Sequence, residues 1–92
     1  MEVISGNPYV DDGNIRTFDI KQPATDYVWH RDQEDRTIKC IEGEGWQFQI
    51  QNCLPWLLKT GMIFDISKLE YHRLIKGVTP LRCRVHKYVN SQ

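Results

Sequence analysis

The sequence predicts an all-β domain of the sandwich or barrel kind, and three observations carry that prediction. Two runs alternate strictly: Trp46, Phe48 and Ile50 are apolar at even positions, and Leu81, Cys83 and Val85 at odd ones, with glutamines and arginines between them. Such alternation lays the apolar side chains on one face of a strand. Turn residues punctuate the chain at short intervals. No stretch carries convincing helical spacing of apolar residues.

In chain order, residues 1–13, with Gly6, Pro8 and Gly13, read as an arm, extended or paired with another chain. The domain proper spans 14–88, and 89–92 form a tail. β-Branched and aromatic residues mark strands at 14–20, 25–31 and 36–42. The run "EGEG" (42–45) ends the third and precedes the strand at 46–50. "QN" (51–52) turns the chain into a proline-containing run with a strand at 56–58. "KTG" (59–61) introduces 62–66, and "SKLE" (67–70) has room for one helical turn. A strand at 71–75, the break "KG" (76–77) and the last strand from Leu81 to His86 complete the set.

Composition narrows the function classes. Twelve basic and twelve acidic residues leave no net charge, whereas nucleic-acid binders carry a basic excess to neutralise phosphates. No apolar stretch is long enough to span a membrane as a helix, and the first residues lack the basic start and apolar run of a signal peptide. Three cysteines, Cys40, Cys53 and Cys83, without CxxC spacing, read as free thiols in a reducing, cytoplasmic setting, with Cys40 and Cys83 as small core residues. No glycine-rich phosphate loop or Ser-His-Asp set is present. Glu42 and Glu44 flank a turn with no partner for acid–base work.

The spacing of glycines and histidines resembles the cupin family of small jelly-roll β-barrels. The first cupin motif, Gly-x5-His-x-His-x3/4-Glu-x6-Gly, falls on Ala24, His30, Asp32, Arg36 and Gly43. The second, Gly-x5-Pro-x-Gly-x2-His-x3-Asn, falls on Gly61, Ser67, Leu69, His72 and Lys76. Two glycines and two histidines thus agree in register, over more than half of the chain. The resemblance implies a jelly-roll barrel, with the His30 face pointing inward and His72 and Leu74 entering from another strand. In metal-binding cupins the two first-motif histidines, the glutamate and the last histidine hold one divalent ion. Here only His30 and His72 stand in those places.

On a strand, Val28, His30 and Asp32 share one face. With Arg36 and His72 they would put four polar groups in one small interior, and buried polar groups must be paired. Two pairings satisfy them. In one, His30, Asp32 and His72 bind an ion such as Fe, Mn, Ni or Zn; two histidines and a carboxylate suit iron(II). The His-x-Asp…His order is similar to that of iron- and 2-oxoglutarate-dependent oxygenases. Arg36 would then hold a substrate carboxylate. In the other, Arg36 pairs with Asp32 and replaces the ion. At about 4 Å and an effective dielectric of about 20, two like unit charges cost roughly 4 kcal/mol and a dication doubles that. With the family's glutamate position occupied by Arg36, this favours a metal-free pocket.

The expected role is binding of a small molecule, anionic ones included, in a pocket lined by His30, Asp32, Arg36, Gln47, His72 and Arg84. The alternatives are a metal-dependent oxygenase or isomerase using His30, Asp32 and His72, and an assembly module with a plugged barrel. Arg82, Arg84 and His86 alternate along the last strand as a solvated face or an anion-binding mouth. The apolar run "LPWLL" (54–58) exceeds what one face of a small barrel buries, so a homodimer packed through this sheet is expected.

Overall fold

The computed structural model describes residues 9–12, 14–21 and 23–88, with side-chain detail from Asn14 onward. The tail at 89–92 and most of the expected arm lie outside the described residues. Within the arm, Tyr9–Asp12 forms strand β1, paired antiparallel with β2 (Ile15–Phe18). The other strands are β3 (Asp35–Glu42), β4 (Gln47–Ile50), β5 (Trp56–Leu57), β6 (Ile63–Ile66), β7 (His72–Ile75) and β8 (Leu81–Tyr88). They form two antiparallel sheets, ordered β1-β2-β8-β3-β6 and β5-β4-β7. No strand pairing among the described residues closes them into a barrel, so the expectation of a closed barrel gives way to two open sheets.

The alternating runs fold as their pattern dictates. Trp46 and Phe48 are buried on or beside β4, and Leu81, Cys83 and Val85 on β8. On β3, Ile38 and Cys40 point inward while Lys39 is exposed. The sheets meet through aromatic contacts: Phe18 lies 6.4 Å from Trp46, and Phe48 4.9 Å from Phe64. Burying a Phe48 or a Leu81 stabilises by about 1.5–3 kcal/mol each. Cys40 and Cys83 face each other across β3 and β8 as free, buried thiols, and Cys53 is exposed. Burial, helped by the neighbouring Cys40, pushes the Cys83 thiol up to about 12, which leaves it inert as a nucleophile. On β8, Arg84 and His86 are exposed and Arg82 pairs with Glu42 at 3.5 Å, so this face is solvated. No helix among the described residues is long and apolar enough to cross a membrane.

One expected strand is not a strand. Thr25–Tyr27 forms a single 3-10 turn, closed by Tyr27 N–H to the Ala24 carbonyl at 3.1 Å and Val28 N–H to that of Thr25 at 3.2 Å. Tertiary packing overrides strand propensity here. The turn lets Tyr27 reach between Phe18 and Trp46, at 6.5 and 5.7 Å, and donate its hydroxyl to the Asp19 carbonyl. Val28 is consequently exposed rather than inward. Beyond it, residues 28–34 run as an irregular strap with one ladder contact, the His30–His72 bridge.

"SKLE" holds a tight turn rather than a helix, and Leu69 in it has φ of +64°. Leu69 stands where the second sequence motif carries glycine. Its N–H donates to the Asp32 carbonyl at 2.7 Å, so the left-handed conformation ties this turn to the strap. A left-handed leucine costs about 1–2 kcal/mol, and a glycine loses about 0.5–1 kcal/mol of that relief to its freedom in the unfolded chain. Leu69 is half exposed and gives up little burial. Leu69→Gly is therefore expected to raise the urea midpoint slightly; a lowered midpoint would show that the leucine side chain contributes more than its backbone costs.

Candidate functional site

The strap and β7 bring three potential ligands together. His30 and Asp32 come from the strap, and His72 from the first residue of β7, where it is 4% exposed. One atom from each can be chosen so that all lie within 4.8 Å of one another. His72 Nε2 is 3.2 Å from Asp32 Oδ2, and His30 Nε2 is 4.0 Å from Asp32 Oδ1. The two imidazoles meet edge to face at 4.3 Å, and Phe48 backs His72 at 5.4 Å.

The orientation of the rings decides what this cluster can do. His30 Nδ1 sits 2.9 Å from the Val28 carbonyl, and His72 Nδ1 is 2.7 Å from the Glu70 carbonyl. A carbonyl only accepts, so each Nδ1 carries the proton and each neutral ring turns an unprotonated Nε2 toward Asp32. Three lone-pair donors then face one another, and the buried atoms His30 Nε2 and Asp32 Oδ2 have no hydrogen-bond partner. Such an arrangement calls for a donor or a cation between its members: a water, an added proton or a metal ion.

Neighbouring charges support the same demand. Arg36 does contact Asp32, at 3.5 Å, but its Nε and Nη2 both lie 2.6 Å from Glu34 Oε2. The guanidinium expected to stand in for an ion is thus engaged chiefly by Glu34. Asp26 Oδ1 lies 3.3 Å from His30 Nε2. Asp26, Asp32 and Glu34 against Arg36 and the cavity-lining Arg16 leave one negative charge in excess, which a bound cation would offset.

Burial pushes the His30 pKa down, but the hydrogen bonds that a protonated ring would make to Asp26 and Val28 and the charges of Asp26 and Asp32 outweigh it and hold it above the ordinary value. Burial pushes Asp32 up, but the hydrogen bond that a protonated His72 would donate and the charges of Arg36, His72 and His30 outweigh it and hold it below its ordinary value. Without metal, the His30 contribution to stability is fully present below its unfolded value near 6.5 and is lost as pH rises through the folded pKa. The Asp32 contribution is present above its unfolded value near 3.8 and is lost as pH falls through the folded one. Chelator-treated protein should therefore show a higher urea midpoint at about pH 5.5 than at about pH 8, and Asp26→Asn should flatten that difference. A midpoint that rises over this interval would contradict the assignment.

A cavity of about 50 Å3 adjoins the cluster. It has room for only a few water-sized groups. His30, Asp32, Arg36 and His72 line it together, as the motif register implied. Its other walls are mostly apolar, Phe48, Phe64 and Leu74 among them. Gln47 is half-buried on β4 opposite Leu57 and Ile75, and is not among the lining residues. Arg84 is exposed on β8 and donates to the Asn14 side chain at 2.8 Å.

Three polar residues of the site went unnamed in the sequence reading. Asp26 stands four residues before His30, and Glu34 two before Arg36. Arg16, 4% exposed, lines the cavity two positions before the inward Phe18 on β2, and is itself partnered. Its place in that alternation was the available signal.

Protein NMB1881 from Neisseria meningitidis has a similar solved structure, with a TM-score of 0.59 over 97% of this chain and 89% of that one. The two are 12% identical, so the likeness shows the fold alone. No protein-family model matches the chain. Comparison with curated proteins finds no match either.

Proposed function

We propose that this is a cupin-like protein whose His30, Asp32 and His72 hold one divalent transition-metal ion. The observation that carries the reading is the pair of buried acceptors, His30 Nε2 and Asp32 Oδ2, left without a hydrogen-bond partner while both Nδ1 positions are committed to carbonyls. The positive φ angles of Gly43 (+146°), Gly61 (+90°) and Leu69 (+64°) support the cupin-like part, because all three fall on glycine positions of the two motifs. Two histidines and one carboxylate suit Fe(II), Mn(II), Ni(II) or Zn(II). Bound there, such an ion supplies a Lewis acid with open coordination positions.

The chain's own residues set the conditions around it. The carbonyls of Val28 and Glu70 hold both imidazoles in the tautomer that ligates through Nε2. Glu34 holds Arg36 and offsets its repulsion of an ion. Asp26 Oδ1, 3.3 Å from His30 Nε2, adds negative charge beside that ligand atom. The apolar walls exclude bulk water and restrict any ligand on the open face to a small one. The decisive experiment is elemental analysis of protein purified without an affinity tag, followed by reloading of the chelated protein. About one ion per chain is expected, and a chain that retains none and takes up none would refute the reading.

A homodimer is proposed from the same apolar run noted in the sequence. Leu54 is 86% exposed and Leu57 46% exposed, beside β5 at a sheet edge. Trp56 instead packs on Phe48 at 5.1 Å and Phe64 at 6.0 Å, so a charge there would damage the core as well as the surface. Leu54→Glu is the cleaner probe. Light scattering should report twice the chain mass for the wild type and a shift toward monomer for the variant. A wild type that stays monomeric at high micromolar concentration rules the dimer out.

A further inference from the structure

We infer that Trp29, Arg31, Tyr71 and Arg73 form a double clasp on the outer side of the strap, and that they are positioning residues for the ion-binding cluster. The inference rests on the metal reading above and concerns how the site is assembled. His30 and Asp32 lie on an irregular segment that belongs to neither sheet. The backbone contacts seen between it and the 69–73 segment are three hydrogen bonds. His30 and His72 exchange a pair, at 3.0 and 2.9 Å, and Leu69 N–H reaches the Asp32 carbonyl at 2.7 Å. So short a pairing is weak by itself, since an isolated two-stranded contact is marginal in water.

The side chains flanking the bridge add what the backbone lacks. Because the bridge is antiparallel, the neighbours of His30 stand opposite the neighbours of His72: residue 29 meets 73, and 31 meets 71. Both crossings are cation–π pairs. The Arg73 guanidinium lies 4.7 Å from the centre of the Trp29 ring, and the Arg31 guanidinium 5.2 Å from that of Tyr71. The cation comes once from the strap and once from β7, so neither contact alone carries the docking.

Arg73 is fixed in turn. Its Nε donates to Gln49 Oε1 at 2.9 Å, and the Gln49 amide donates to the Cys53 carbonyl at 3.0 Å. A path therefore runs from β4 through Gln49 and Arg73 to Trp29, next to His30 in the chain. With Trp29 and Arg31 held on the outer side, the intervening His30 is turned inward, as alternation requires. Tyr71 and Arg73 do the same for His72. The clasp touches no ligand atom; it sets the direction in which two ligands point.

The test uses cobalt(II), whose visible absorption reports ligand number and geometry, titrated into the chelated full chain. Trp29→Ala and Tyr71→Ala should each weaken cobalt binding by about 10-fold or more, the range seen when partners outside the ligand shell are lost. The ligand-field spectrum of the bound ion should change as well. Trp29→Phe and Tyr71→Phe keep an aromatic ring against each guanidinium, and should bind within about 3-fold of the wild type. Conservative variants as weak as the alanine ones would mean that these residues act through general stability, and would overturn the inference. So would alanine variants that are folded by circular dichroism and keep wild-type affinity and spectrum. A wild type that takes up no cobalt overturns the metal reading and the clasp's role with it.

Discussion

Gly77→Ala is expected to lower the unfolding free energy by about 3 kcal/mol or more, at the upper end of overpacking effects. A chain of this length has roughly 5–14 kcal/mol in total. Gly77 lies between β7 and β8, and its backbone runs against the segment before β4. A Cβ there would strike the Glu44 carbonyl oxygen, the Trp46 amide nitrogen and the Trp46 ring. None of these can yield. Val78 N–H donates to that same Glu44 carbonyl at 2.8 Å, Trp46 is fully buried, and its ring N–H is bonded to the Thr79 carbonyl at 2.6 Å. The residue that would have to move is thus pinned on both sides of the collision. Gly45→Ala is the comparison. Its Cβ would meet nothing closer than 3.5 Å, but its φ is +82°, so its cost is conformational and about 1–2 kcal/mol. Urea unfolding of both variants separates crowding from backbone strain; a Gly77→Ala midpoint close to the wild type would show that the two segments separate more easily than their hydrogen bonds suggest.

The second large effect concerns the proposed ion. At a free metal concentration of about a hundred times Kd, the wild type should gain about 2.7 kcal/mol of stability over its chelated form. His72→Ala should gain almost nothing at that concentration, because losing a ligand costs more than the roughly 10–100-fold seen for partners outside the ligand shell. His72 is the informative position because its Nε2 is closest to Asp32 and its ring is the most buried of the three ligand groups. The variant also opens a space beside Phe48, so it should be somewhat less stable without metal. The comparison that matters is therefore the gain on adding metal, measured by thermal unfolding with and without a divalent ion. Equal gains in both proteins would place the ion elsewhere.

Much of this arrangement could be read from the chain. The alternation around Phe48 and Cys83 predicted which side chains are buried, because a strand has only two faces and one of them had to be dry. The turns at 42–45 and 59–61 followed from glycines, and Gly43, Gly45 and Gly61 do adopt positive φ. The register that aligned His30 with His72 predicted their convergence, and they form a bridge. What escaped the reading depends on the irregular strap. Asp26 reaches His30 because a 3-10 turn, not a strand, precedes it, and that turn exists because Tyr27 fits between Phe18 and Trp46. Glu34 captures Arg36 through a bend in the same segment. Propensity gave no sign of either, since the first depends on Tyr27 packing against residues far along the chain and the second on an irregular bend. Arg36 does pair with Asp32, at 3.5 Å, but it also engages Glu34 at 2.6 Å, a nearer carboxylate that the chain's spacing did not single out.

The His30–His72 bridge also has a consequence for the order in which the chain folds. It joins positions separated by 42 residues, and closing a loop of that length costs about 3 kcal/mol of chain entropy beyond a constant term. Three backbone hydrogen bonds recover that slowly, so the strap should dock after the sheets have formed. An interaction absent from the folding transition state alters the unfolding rate and leaves the folding rate nearly unchanged. An ion held across the bridge then acts as a late clamp: it would lengthen the lifetime of the native state while the chain reaches that state no faster.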